Sequence, residues 1–407
     1  MKYLNRWVYG AAGTIILLFA GLVYAWTVLQ APIAEAYPSW TKGQLSLTFT
    51  ITMICFCLSG LLGGVFQKRW PPKYLVWISA VLFLAGFFVA AKSHSLVGLY
   101  LGFGVLAGSG SGLAYNGVLS AVSAWFPDRQ GFISGVLLMG FGLSSFLVGK
   151  VYTEITPSDG SDLWRNSFLS FGVILFFVMV VAGVFVVLPP KEDNRLESTG
   201  GHKSLSAYEE IGPGEMLHRP TFWLFMVWVI ILSAAGLAVI SQGTPMALEA
   251  CPQLSMNTVA TVVGLLSIFN GVGRIVFGSL FDKIGRFGTM LLGGLVFLAA
   301  MLLLLLALST HSLPLLVVAY VVTGLGYGCV TPTNSAFVNR FYGQKNYPIN
   351  LSVVNMNMLI TSSGSTIAGV IFDVTKTYMS VIFVVTVLLV FATVVSCLIQ
   401  EPRRNSL

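Results

Sequence analysis

Arg274 is the residue from which any chemistry in this chain has to be argued. It closes the run Phe269-Asn270-Gly271-Val272-Gly273-Arg274, which sits inside a long apolar stretch. A guanidinium does not shed its proton, and its planar fork of N–H donors matches a carboxylate bidentately. Holding such a group at membrane depth costs ~3 kcal/mol on insertion scales. No apolar stretch carries an acid in its interior to offset it. Glu35, Glu154, Glu249 and Asp373 fall near the ends of their stretches, as do Asp128 and Asp282. A buried cation without a counter-charge invites an anionic ligand. Asn270 lies four residues before Arg274, on the same helical face. Other polar or polar-aromatic residues interrupt apolar runs elsewhere: Tyr24 and Trp26, Tyr115 and Asn116, Tyr327, and Asn355, Asn357 and Ser362. A phenol can bond a carboxylate or hydroxyl while its ring covers a short apolar tail. Asn355 could equally bond across helices.

The elements that position these residues must be membrane helices. Of 407 residues, 56% are hydrophobic and only 9% are charged, against roughly 25% in soluble domains. That composition excludes a soluble enzyme and intrinsic disorder. The net charge of +7 does not imply nucleic acid, because the cations stand in short connectors without a basic stripe. Cys55, Cys57, Cys251, Cys329 and Cys397 form no CxxC pair, and His94, His202, His218 and His311 show no metal-ligand spacing. No phosphate loop is present either. The reading is therefore of a chain that is not an enzyme, with no metal and no cofactor.

A crossing helix needs about 20 apolar residues. Twelve runs qualify, at roughly 7–31, 43–66, 73–92, 96–125, 130–154, 165–189, 221–247, 257–281, 287–309, 313–340, 347–372 and 377–399. With the N-terminus inside, sixteen Lys and Arg fall in cytoplasmic connectors and five outside. The positive-inside bias then places both termini in the cytoplasm of a multi-pass protein of the cell membrane. The longest polar stretch, 191–219, divides the spans six and six, giving halves at 1–190 and 220–407 joined by a cytoplasmic linker. The halves also match each other. GSGSGLAYN at 108–116 aligns with GLGYGCVTP at 324–332, pairing Gly108, Gly110 and Gly112 with Gly324, Gly326 and Gly328. A duplicated six-span unit is a carrier architecture.

Local motifs sharpen this. Gly278-Ser279-Leu280-Phe281-Asp282-Lys283-Ile284-Gly285-Arg286 follows span 8 and resembles the cytoplasmic loop signature of the major facilitator superfamily. Its counterpart after span 2 is Gly63-Gly64-Val65-Phe66-Gln67-Lys68-Arg69, with Gln67 in place of the acid. An Asp at a helix end can pair with Arg or cap a neighbouring helix, so Asp282, Arg286, Asp128 and Arg129 are the candidate cytoplasmic gate. The stretches 125–131 (WFPDRQG), 214–223 (GEMLHRPTFW), 269–274 and Pro332-Thr333-Asn334-Ser335 resemble the oxalate/formate antiporter family, which is allied to the monocarboxylate porters.

The resemblance implies an all-α fold of twelve transmembrane helices in two pseudo-symmetric six-helix halves. It also implies that Arg274 is the substrate-anchoring arginine and that Tyr24, Tyr115 and Tyr327 line the cavity. Two departures matter. Asn270 is neutral where eukaryotic monocarboxylate porters resemble an Asp used for proton coupling. The second cation of oxalate carriers should fall near Val354 or Asn355, and no Lys is there. One Arg suits one carboxylate. The expectation is a monomeric secondary carrier of a small monocarboxylate of the lactate, pyruvate or formate class, moving with a proton by alternating access. The substrate would be held by Arg274, Asn270, Tyr115, Tyr327, Tyr24 and Asn355. The alternative is exchange of organic anions as oxalate/formate antiporters perform it.

Overall fold

The computed structural model describes residues 4–156, 162–190 and 210–400, and the regular structure among them is helical. Among the described residues, eleven helices are long and apolar enough to cross a membrane. The first seven are α1 (Arg6–Ala25), α2 (Gly43–Phe66), α3 (Pro72–Lys92), α4 (Leu96–Ser123), α5 (Gln130–Tyr152), α6 (Trp164–Gly183) and α7 (Pro220–Ser241). The next runs for 50 residues, Thr261–Thr310. At 1.5 Å per residue that is about 75 Å, more than two hydrocarbon cores of ~30 Å. Inside it Gly285 adopts φ 70° and ψ −171°, which is not helical. The absence of a Cβ makes that conformation accessible. The stretch is therefore two crossings, α8 (261–284) and α9 (286–310), and the turn falls in the interval the sequence leaves between its eighth and ninth runs. The last three are α10 (Leu313–Tyr342), α11 (Tyr347–Thr375) and α12 (Tyr378–Leu398). Twelve crossings result among the described residues, matching the twelve apolar runs of the sequence.

Side chains sort by solvent in the sense expected in lipid. Phe177, Val181 and Phe383 are 60% or more exposed, and Val374 is 79% exposed. In water such a surface would be an aggregation hazard; in a bilayer it is the solvated face.

Several helices are locally irregular where the sequence reading expects unbroken spans. After Ala20 the chain tightens into a 3₁₀ turn, Gly21–Ala25, before helix resumes at Trp26–Ala36. In α4 the segment Tyr100–Ala107 widens to a π-helix. α11 comes in three pieces, Tyr347–Asn355, Asn357–Thr361 and Ser363–Thr375.

The chain divides into two compact units. Unit one contains Met1–Asp128, Gly140–Leu205 and Tyr347–Ser352; unit two contains Arg129–Met139, Ser206–Asn346 and Val353–Leu407. The start of α5 thus packs with the later spans, and the start of α11 with the earlier ones. Of the linker read at 191–219, residues 191–209 lie outside the described residues, as do Lys2, Arg403 and Arg404 of the charge pattern. Unit one has an aromatic centre in which Phe168 lies 5.2 Å from both Phe87 and Trp164. Unit two has a stack of Phe225, Phe337 and Phe341, with centroids 3.8 and 4.0 Å apart.

The duplication seen in the glycines is structural. In unit one, a Cβ on Gly108 would stand 2.7 Å from the Thr52 carbonyl oxygen of α2, and Gly112 faces the Phe56 carbonyl of the same helix. Gly110 faces α3, where an added Cβ would stand 3.1 Å from the Ser79 carbonyl oxygen. In unit two, Gly324 and Gly328 face α8, where an added Cβ would stand 2.5 and 2.6 Å from the carbonyl oxygens of Leu266 and Asn270. Gly326 faces Phe297 of α9, which an added Cβ would meet at 3.0 Å. Each aligned pair makes the same kind of contact. Small residues let backbones approach where lipid supplies no hydrophobic drive for association.

Candidate functional site

Unit two holds four of the six residues expected to contact substrate. The close crossing of α8 and α10 sets three of them. Gly328 lies against the backbone of Asn270 and Arg274, so Tyr327 is carried on the turn of α10 that meets the Asn270–Arg274 turn of α8. Arg274 is half-buried, and its Nη1 donates to the Leu138 carbonyl at the start of α5. That oxygen carries no formal charge, so the bond orients the guanidinium without neutralising it. The Asn270 Oδ1 is buried and has no hydrogen-bond partner. An unmet buried acceptor costs about 1–3 kcal/mol, which native structures tolerate chiefly where a ligand or water completes it. Asn355, only 6% exposed, ends the first piece of α11.

Tyr327 has its ring laid across Gly236 of α7, leaving no room for a Cβ there. Gly236→Ala is expected to lower the thermal midpoint by the equivalent of about 1–3 kcal/mol, as overpacking does. The double variant Gly236→Ala/Tyr327→Ala should recover part of that loss, because the ring is what the new methyl strikes. A strictly additive pair of losses in a thermal-unfolding cycle would refute the contact.

Unit one holds the other two. Tyr24 sits in the 3₁₀ turn of α1, where Gly21 brings that helix against Phe141 of α5. Tyr24 and Tyr115 both pack edge-on to Phe141, with centroids 5.4 and 5.2 Å away. Tyr115 also meets Phe56 at 5.3 Å and is 4% exposed.

The expected gate residues separate into distinct arrangements. Asp282 does cap a neighbouring helix. Its Oδ1 accepts from Gly131 N–H and its Oδ2 from Phe132 N–H, each at 2.8 Å, at the first turn of α5. The backbones meet there through Gly131 and Gly278, where a side chain on either would strike the other's carbonyl. Ser134 and Ser335 bond at 2.6 Å one turn further along. Arg286, 5% exposed, donates instead to the Ser396 carbonyl at the end of α12, at 2.9 Å. Asp128 forms a bidentate pair with Arg6 at 2.6 and 3.0 Å, tying the start of α1 to the α4–α5 connector. Arg129 is exposed immediately before α5.

The counterpart in unit one works without charge. Gln67 Nε2 donates to Asn116 Oδ1 at 3.0 Å, and Ser120 Oγ donates to Gln67 Oε1. Asn116 Nδ2 in turn donates to the carbonyls of Gly60 and Pro348, each at 2.8 Å, and contacts Ser352 Oγ. Where Asp282 finds two N–H groups at the start of α5, the start of α11 is Tyr347-Pro348, and proline has no N–H. An acid at position 67 would lack that second donor, whereas an amide relay can reach the Pro348 carbonyl. Sequence reasoning noted Gln67 and Asn116 separately and missed the relay. The proline in the α11 start was the available signal.

Twelve crossings, an internal duplication and a cation held at membrane depth define a polytopic membrane carrier. The family model described as Major Facilitator Superfamily matches residues 11–363 and 252–407, and the chain belongs to that superfamily. It is a transporter fold and not an enzyme. The chain is 28% identical over 359 residues to an uncharacterized MFS-type transporter, YhjX, of Escherichia coli, covering 88% of this chain and 86% of that one. It is 24% identical over 347 residues to the oxalate:formate antiporter of Oxalobacter formigenes, covering 84% and 80%. The fold matches the major facilitator transporter FucP in its outward conformation with a TM-score of 0.71, 13% identity, and 97% and 99% of the two chains covered.

Proposed function

We propose that the chain is a secondary active transporter of small monocarboxylates of the lactate, pyruvate or formate class, proton-coupled and working by alternating access in the cell membrane with both termini cytoplasmic. The observation that carries this is Arg274, a permanent cation inside a crossing helix, beside the unsatisfied Asn270 Oδ1. The guanidinium anchors the carboxylate, Asn270 and Asn355 bond to it or to an adjacent polar group, and Tyr24, Tyr115 and Tyr327 sort the tail. Asp282 on the first turn of α5 and the Gln67–Asn116 relay on the first turn of α11 are the contacts that must break and re-form in each cycle.

One cation sets the selectivity. A second carboxylate would be desolvated without a partner, at a cost of several kcal/mol. Monocarboxylates of two or three carbons should therefore displace a labelled monocarboxylate from reconstituted protein better than oxalate or succinate at fixed pH. Tighter competition by a fully ionised dicarboxylate would overturn the reading in favour of oxalate-type exchange, which the relationship to the oxalate:formate antiporter supports. The same liposomes test coupling. The empty carrier must return with the Arg274 charge uncompensated by substrate, so loaded liposomes should exchange faster than empty ones fill unless a proton accompanies the anion. Symport predicts strong acceleration of net uptake by an inward proton gradient alone. Uptake indifferent to that gradient would exclude proton coupling.

A further inference from the structure

We infer that the end of α2 and the start of α3 form a binding surface for the headgroup of an anionic phospholipid. The inference needs only that the chain spans a membrane, and it stands or falls separately from the substrate reading. The connector Gln67-Lys68-Arg69-Trp70-Pro71-Pro72-Lys73-Tyr74 places three cations within six residues. Lys68 and Arg69 are exposed and Lys73 is half-exposed. Three other cations near the ends of crossings have carboxylate partners: Arg6 pairs with Asp128, Arg165 with Asp162 and Arg219 with Glu215. Among the described residues, no carboxylate pairs with Lys68, Arg69 or Lys73.

Aromatic rings flank this charge along the chain. Phe66 and Trp70 stack with centroids 5.9 Å apart and remain 45% and 51% exposed. Lys73 Nζ sits 5.3 Å from the Tyr74 ring and 5.5 Å from the Trp77 ring. Trp77 is itself fixed to α6 by a 3.2 Å bond from Nε1 to the Val180 carbonyl. One of the two rings beside the Lys73 ammonium is thus anchored in the helix packing.

This combination selects a lipid over a soluble anion. Free phosphate would gain from the cations but leave the exposed rings in water. A phospholipid satisfies both, with its phosphodiester on the cations and its glycerol and upper acyl region on Phe66, Trp70 and Tyr74. A zwitterionic headgroup brings its own ammonium against three like charges, so phosphatidylglycerol should be preferred to phosphatidylcholine.

Trp70 reports the contact directly. The full-length protein is placed in bilayers of graded phosphatidylglycerol and phosphatidylcholine, with bromine on the acyl chains of one or the other lipid. The Trp70 contribution is obtained by subtracting the signal of Trp70→Phe. Quenching should show a preference of about tenfold or more for phosphatidylglycerol, since a several-fold gain for each of three cations near an anionic surface compounds beyond that. The preference should shrink stepwise in Lys68→Gln, Arg69→Gln and Lys73→Gln, and reach about one in the triple variant and in ~1 M salt. The single variants keep the test decisive if the triple variant does not fold. A wild-type ratio near one overturns the inference, and so does a preference that survives neutralisation of the three cations.

Discussion

Arg274→Lys is expected to lose carboxylate transport almost as completely as Arg274→Ala, although it keeps the charge. The lysine ammonium is a point charge with three rotatable donors, and it cannot hold the Leu138 carbonyl and present a planar pair of N–H groups at once. Truncating one partner of a buried hydrogen-bonded charge pair costs roughly 2–5 kcal/mol, so apparent affinity should fall about 30-fold or more in either variant. Both variants should remain folded, since Arg274→Ala relieves the insertion cost of the guanidinium and Arg274→Lys carries one of similar size. The measurement pairs uptake in proteoliposomes with substrate-induced thermal stabilisation of purified protein, which separates binding from cycling. Near-normal stabilisation of Arg274→Lys by lactate or pyruvate would defeat the bidentate picture. An unfolded Arg274→Ala would mean that the residue's main role is structural, through Leu138.

The second large effect is expected at Asp282, and it should be asymmetric between the two halves of the sequence. Both carboxylate oxygens accept backbone N–H groups at the positive end of α5. Asp282→Asn removes the charge and leaves an amide nitrogen that cannot accept the second donor. The loss of one charge-assisted bond and of the dipole interaction is worth about 2 kcal/mol. The equilibrium between capped and uncapped states should then move by about 30-fold, visible as faster hydrogen exchange at the Gly131 and Phe132 amides. Transport should change with it, because a carrier whose contacts are mis-weighted cycles poorly. Gln67→Asp should gain no matching latch, since Pro348 offers no N–H and the Asn116 relay would be broken. Unaltered exchange at Gly131 in Asp282→Asn would remove the cap from the mechanism. A Gln67→Asp variant with strengthened protection at the α11 start would show that the proline argument is mistaken.

The amino-acid sequence by itself determined the solvent, the number of crossings and the duplication. Hydropathy is a one-dimensional property, because each crossing must satisfy its own backbone within the bilayer. Even Gly285 fell in an interval already read as a turn. The glycines at 108–112 and 324–328 were legible for the same reason: a helix with small residues at fixed spacing is built to be approached closely on that face. Arg274 was legible because a permanent charge in an apolar run has no inexpensive local explanation. Tertiary structure alone decided what each polar group meets. Nothing near Arg274 in the chain points to the Leu138 carbonyl, 136 residues away. Arg286 and Asp282 share one motif, yet the structure sends one to the Ser396 carbonyl and the other to the amides of α5. Asp128, expected at the gate, lies against Arg6, 122 residues away in the chain. Tyr24 and Tyr115, 91 positions apart, converge on the one ring of Phe141. The physical reason is that apolar periodicity specifies which face of a helix is buried but not which helix covers it. Partners of polar groups depend on the packing of non-adjacent helices, and in this fold the starts of α5 and α11 pack with spans from the opposite half of the sequence.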